Sequence, residues 1–111
     1  MGKLRVGYDI FWSASALDDL NHIIDYMISR GKAFGAAMNY ADLVDKKVSL
    51  LSDHPLMGKD RSDLLGDGIR QFVLDAQSSI FYSVDDDRCN VSIWRMKSSI
   101  WGDFTPDDFY S

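Results

Sequence analysis

The chain has 111 residues, of which 46% are apolar, and three Trp, five Tyr and six Phe supply bulk for a core. A chain of that length folds as one domain and buries roughly two thirds of the surface its unfolded form exposes, which excludes a disordered chain and a mini-protein that needs staples. The net charge is −5, and all seventeen acidic side chains are Asp with no Glu, which argues against general nucleic-acid binding because phosphate contacts supply most of that affinity.

Met1-Gly2-Lys3-Leu4-Arg5 has no long apolar run and does not read as a signal peptide. Met1-Gly2 opens like a myristoylation site, but Val6 stands where Ser or Thr is required. No apolar run in the chain approaches the ~18 residues of a membrane span, so the expected address is the cytoplasm. Leu4 to Trp12, rich in Val, Tyr, Ile, Phe and Trp, reads as a strand that ends at Ser13-Ala14-Ser15. Ser15 with Asp18 resembles a capping box. Leu17, Leu20, Ile24, Met27 and Ile28 then recur at helical spacing, and Gly31 supplies a stop. A second helix follows, with Phe34, Ala37, Met38, Ala41, Val44, Val48 and Leu51 on one face and Asp42, Asp45, Lys46 and Lys47 on the other, and Pro55 prevents its continuation. Two amphipathic helices with a short Gly-containing link make a helical hairpin.

Residues 55–68 hold three Gly and a Pro and read as a loop. Ile69–Leu74, Ser79–Val84 and Asn90–Met96 then alternate as strands, with Asp85-Asp86-Asp87-Arg88 as the last turn. Sequential strands with short turns pair antiparallel. The expected class is therefore α+β in the order β-α-α-β-β-β, with the hairpin on one face of a small, mainly antiparallel sheet and the opposite face left for a partner. After Lys97 the chain carries Trp101, Phe104, Phe109 and Tyr110 without periodicity. Trp101 and Phe104 are expected either to fold back as core or to anchor a partner.

Chemistry-bearing residues are few. Cys89 is single, so no internal disulfide forms, and within a strand it reads as a small core filler. Gly66-Asp67-Gly68 is not a phosphate loop, because no helix follows it. Asp85-Asp86-Asp87 lacks calcium-loop spacing, and neither a metal site nor a cofactor is expected. His22 reads as a solvated helix residue and His54 as a helix-end residue. Arg70 and Arg95 lie within strands. Each either pairs with Asp75 or a carboxylate of the 85–87 turn, or faces a partner. Because three of the four carboxylates between residues 69 and 97 share one turn, the strands themselves are expected to be locally positive.

One ordered set of residues resembles the ParE/RelE toxin superfamily of type II toxin–antitoxin systems, and its ParE branch most. The set is Ser13, Ala16, Asp19-Leu20, Ile24, Tyr26 and Gly31, then Leu51, Pro55, Gly58, Arg61-Ser62-Asp63-Leu64, Gly68-Ile69-Arg70, Ile80-Phe81-Tyr82, Val84, Val91, Ile93 and Arg95. It covers roughly residues 4–97 and leaves the tail 98–111 unmatched. Many relatives carry an arginine-valine-leucine-histidine run where this chain has Arg95-Met96-Lys97-Ser98, without the histidine.

The resemblance implies a growth-arresting, plasmid-stabilising protein encoded beside an antitoxin that wraps and neutralises it in a hetero-oligomer. ParE-type members are associated with inhibiting DNA gyrase, and RelE-type members cut mRNA on the ribosome. Shared fold does not choose between them. Cleavage through a 2′-hydroxyl needs a base, an acid and cations for the phosphorane. Arg70, Arg95, Lys97 and Tyr110 supply charge but no base near neutral pKa, so a gyrase-binding protein is the favoured reading and an mRNA endonuclease the alternative. A member without toxicity, suggested by the missing histidine and the acidic charge, is a third. On the favoured reading there is no catalytic residue and no sequence-specific nucleic-acid binding, and Arg61, Arg70, Arg95, Lys97 and Trp101 are the candidate partner-binding residues.

Overall fold

The computed structural model describes residues 7–31, 33–75 and 78–98. Along them run β1 (Asp9–Trp12), α1 (Ala14–Ser29), α2 (Phe34–Asp53), β2 (Lys59–Asp60), α3 (Ser62–Leu65), β3 (Arg70–Val73), β4 (Ser78–Asp85) and β5 (Asn90–Ser98). The strands form one sheet in the order β1-β5-β4-β3-β2. β1 runs parallel to β5 and every other pair is antiparallel. The α+β class, with a helical hairpin against a mainly antiparallel sheet, is as the sequence predicts. The two-residue β2 and the single turn of α3 lie where a loop was expected.

Tertiary pairing decides where α1 starts. Ser13 donates its N–H to Ile93 O at 2.9 Å and its hydroxyl to Trp94 O at 2.8 Å, while Oγ accepts the Ala16 N–H at 3.0 Å. The cap is therefore Ser13 and not Ser15, because Ser13 is the residue that β5 fixes in an extended conformation. Arg30 closes the helix and Gly31 follows at φ +86°, a left-handed position that glycine takes without cost. α2 buries Ala37, Val44, Val48 and Leu51, whereas Phe34 and Met38, at the start of the same stripe, are exposed.

The main core lies between the hairpin and one face of the sheet: Ala16 and Ile23 from α1, Val44, Val48 and Leu51 from α2, and Ile80, Tyr82, Val91, Ile93 and Met96 from the strands. Burying each of the larger of these side chains stabilises by about 1.5–3 kcal/mol. The opposite face is not bare. Phe81 packs there with Leu65 of α3 and Ile69. The run Ile80-Phe81-Tyr82 lacks polar alternation, so both faces of β4 need cover, and the segment that begins at Arg61 provides it. Asp60 Oδ1 starts α3 by accepting the Ser62 N–H at 2.7 Å and the Ser62 hydroxyl at 2.6 Å. Those bonds hold the Asp60 carboxyl below the usual carboxylate range.

The turn after β4 places Cys89 at φ +53° with its thiol exposed. The expected buried thiol in a strand is corrected, since β5 begins one residue later, at Asn90. Among the described residues no helix is long and apolar enough to cross a membrane.

Candidate functional site

Register assigns each strand residue to a face. Phe81 is paired with Gln71 and Arg95, and Ser79 with Val73 and Lys97, so these side chains leave on the side away from the hairpin. Lys59, opposite Gln71, joins them. Gln71 Nε2 donates to Ser79 Oγ at 3.0 Å, and Arg61 Nη1 donates to Gln71 Oε1, with Asp63 3.8 Å from the Arg61 Nε. A polar row thus crosses this end of the sheet from Lys97 to Arg61.

At the other end of the same face the register steps from Tyr82–Ile93 to Phe81–Arg95, leaving Trp94 as a bulge residue. Its indole N–H donates to Ser83 Oγ at 2.8 Å and its ring stays 42% exposed. Ser83 is opposite Ser92, and Ser92 is opposite Phe11, which is 54% exposed. Two aromatic side chains, Trp94 held by its indole bond and Phe11, therefore stand in solvent on the face away from the hairpin. Exposed aromatic residues of this kind are enriched at protein interfaces.

Arg95 pairs with a carboxylate of α1 and not with those of the 85–87 turn. Its Nε donates to Asp19 Oδ2 at 2.7 Å and its Nη2 to Asp19 Oδ1 at 3.0 Å, and the side chains are 17% and 14% exposed. Asp19 Oδ2 also accepts the Met96 N–H at 2.9 Å. The reason lies in strand lengths: β1 stops at Trp12 while β5 runs on to Ser98. Past Ile93 no described strand pairs with that edge of β5, and a carboxylate from α1 takes the place of a strand carbonyl at the Met96 N–H. Sequence reasoning did not give Asp19 this role. The available signal is that it shares the buried face of α1 with Ala16 and Ile23, at spacings of three and four, where a charge requires a partner.

Arg70 lies on the hairpin side, opposite Tyr82, and ties down the segment after α2. Its Nε donates to Gly58 O and its Nη2 to Leu56 O, each at 3.1 Å. The Tyr82 hydroxyl accepts the Gly58 N–H at 2.8 Å and donates to Pro55 O at 2.7 Å. Burial pushes the Tyr82 pKa up, with the Gly58 N–H and nearby Arg70 opposing. No side chain fits at position 58, where a Cβ would meet Tyr82 Oη at 2.7 Å and Gln71 O at 2.8 Å. These bonds hold a loop that displays Leu56 at 61% and Met57 at 49% exposure around a shallow hollow with His54 and Pro55.

The structure therefore brings Arg61 and Lys97 to one face and engages Arg70 and Arg95 within the chain. Trp101 and Tyr110 lie outside the described residues. His22 is exposed on α1, and His54 closes α2 by donating its N–H to Leu50 O. Neither is on a strand of the polar row. Among the described residues no cluster of His, Cys and Asp could hold a metal ion.

The fold, a small sheet with a helical hairpin on one side, is shared with solved structures of toxin–antitoxin complexes. The chain is similar to a solved structure of a chromosomal ParDE system from P. aeruginosa (TM-score 0.68, 20% identity, covering 82% of this chain and 95% of that one). It is also similar to one of the RelBE2 complex from Mycobacterium tuberculosis (TM-score 0.58, 22% identity, 84% and 99%). A third likeness is to the E. coli DinJ–YafQ complex (TM-score 0.51, 13% identity, 86% and 97%). No curated protein sequence matches the chain. The family pattern described as "ParE toxin of type II toxin-antitoxin system, parDE" matches residues 10–99, and the chain belongs to that family.

Proposed function

We propose that this chain is the toxin of a type II toxin–antitoxin pair that acts in the cytoplasm by binding protein, with DNA gyrase as its target and a cognate antitoxin as its neutraliser. The observation that carries this reading is the engagement of its strand arginines. Arg95 is held in a bidentate pair with Asp19, and Arg70 is committed to Gly58 O and Leu56 O. Stabilising a phosphorane requires cations aimed at the developing charge, and these two are aimed elsewhere. The face away from the hairpin offers instead Phe11 and Trp94, with the pinned loop at Leu56 and Met57 as a second apolar surface. Aromatic anchors on a rigid strand suit protein partners. An antitoxin is supported by family membership and by structural relatives that are toxin–antitoxin complexes.

Expression without antitoxin is expected to arrest growth with a DNA-damage response, and purified protein to inhibit gyrase supercoiling. Codon-positioned mRNA cleavage with untouched supercoiling would overturn the gyrase target in favour of an endonuclease that uses Arg70, Arg95 and Lys97. Harmless expression with no recovered partner would leave a family member without toxicity.

A further inference from the structure

We infer that Asp19 is a specificity-determining residue: by holding Arg95 against the β5 edge it withholds a cation from the polar face and weakens the grip of that face on a phosphodiester backbone. The inference rests on the reading of the chain as a protein-binding toxin and names the residue that keeps it one.

By register, Arg95 leaves the strand on the same side as Phe81, two residues from Lys97. Lys59, Arg61 and Lys97 already share this end of the face, with the Asp63 carboxylate 3.8 Å from the Arg61 Nε. An unrestrained Arg95 would add a fourth cation to a surface whose polar row of Ser79 and Gln71 is built to take hydrogen bonds. Asp19 prevents this in two ways. It neutralises the guanidinium through two short bonds, and its third bond, to the Met96 N–H, fixes the carboxylate to the strand edge so that the pair cannot swing outward. The chain's net charge of −5 adds a general repulsion of polyanions. The local pair decides whether this face overcomes it.

The test is binding of a fluorescein-labelled single-stranded RNA, followed by anisotropy across a salt series, with folding checked by circular dichroism. Asp19→Asn keeps an oxygen for the Met96 N–H and removes the charge that holds Arg95. It is expected to bind several-fold more tightly than the parent at low salt. The slope of log affinity against log salt should steepen by about 0.7, the value of one phosphate contact on a single strand. Asp18→Asn, on the exposed side of α1, makes the same change in net charge and is expected to leave both quantities where they are. Asp19→Asn/Arg95→Gln is expected to return to the parental affinity.

A gain shared by Asp18→Asn, or kept by the double variant, would overturn the inference, as would no gain in a folded Asp19→Asn. Where the single variant does not fold, the double variant, which replaces the ion pair by two neutral amides, is compared with Lys97→Gln. The double variant is expected to match the parent while Lys97→Gln weakens binding, and equal losses in the two would overturn the inference. Supercoiling by gyrase, measured on the parent alone, tests the protein-binding reading separately. Its failure leaves the RNA comparison between variants intact.

Discussion

Gly58→Ala is a one-carbon perturbation whose outcome the structure specifies. Gly58 is not in the left-handed region, so alanine can adopt its backbone conformation, and the obstacle is space alone. The new Cβ would stand 2.7 Å from Tyr82 Oη and 2.8 Å from both Gln71 O and Tyr82 Cε1, inside contact distance on two sides. Tyr82 is buried and cannot step back, and Gln71 O belongs to a strand. The loop must therefore move. That movement lengthens the Gly58–Tyr82 bond, the Tyr82–Pro55 bond and the Arg70 Nε–Gly58 bond together. Overpacking costs about 1–3 kcal/mol, and partial loss of three hydrogen bonds, one of them from a charged donor, adds about 1–2 kcal/mol. Restricting the unfolded chain returns about 0.4–1 kcal/mol. The net destabilisation expected is about 2–4 kcal/mol. With a urea slope of about 1–3 kcal/mol per molar the unfolding midpoint falls by roughly 1–2 M and the slope is unchanged. A midpoint within about 0.3 M of the parent, on the same slope, would refute the pinned loop and with it the claim that Leu56 and Met57 are presented on a rigid support.

Asp19→Ala strands the Arg95 guanidinium and the Met96 N–H at a mostly buried edge and is expected to cost about 3–5 kcal/mol in urea unfolding. Tyr82→Phe leaves the Gly58 N–H and Pro55 O without their partner, for a loss of about 1–3 kcal/mol at neutral pH. The parent's advantage over Tyr82→Phe also depends on pH. Folding raises the Tyr82 pKa above its ordinary 10.0, so the neutral hydroxyl's contribution is complete below pH 10.0 and disappears as pH rises through the raised value. Matched urea curves between neutral and strongly alkaline pH should show the gap constant and then closing. Cys89→Gly removes a left-handed backbone cost of about 1–2 kcal/mol at an exposed turn residue, against about 0.4–1 kcal/mol of added unfolded-chain freedom, so a net gain of about 0.5–1 kcal/mol is expected, read as a higher melting temperature.

The elements of the fold were legible because each rests on a local signal: the 3.6-residue recurrence from Leu20 to Met27, the stop at Gly31, the break at Pro55 and the apolar runs after Ile69. What the chain hides is which polar groups meet across it. Ser15 with Asp18 satisfies the local rule for a helix start, yet Ser13 is the cap, because β5 holds it from 80 residues away with its Ile93 and Trp94 carbonyls. Arg95 has Asp85, Asp86 and Asp87 nearer in sequence and pairs with Asp19 instead, across 76 positions. Both choices follow from one fact, that β1 is four residues long and β5 nine. Where the short strand ends, α1 must begin, and the first turns of α1 then run beside the part of β5 that β1 does not reach. A carboxylate at Asp19 answers that edge and captures the nearest guanidinium in doing so. The difference in strand length, settled in assembly and not in any local pattern, thus determines that Asp19 meets Arg95.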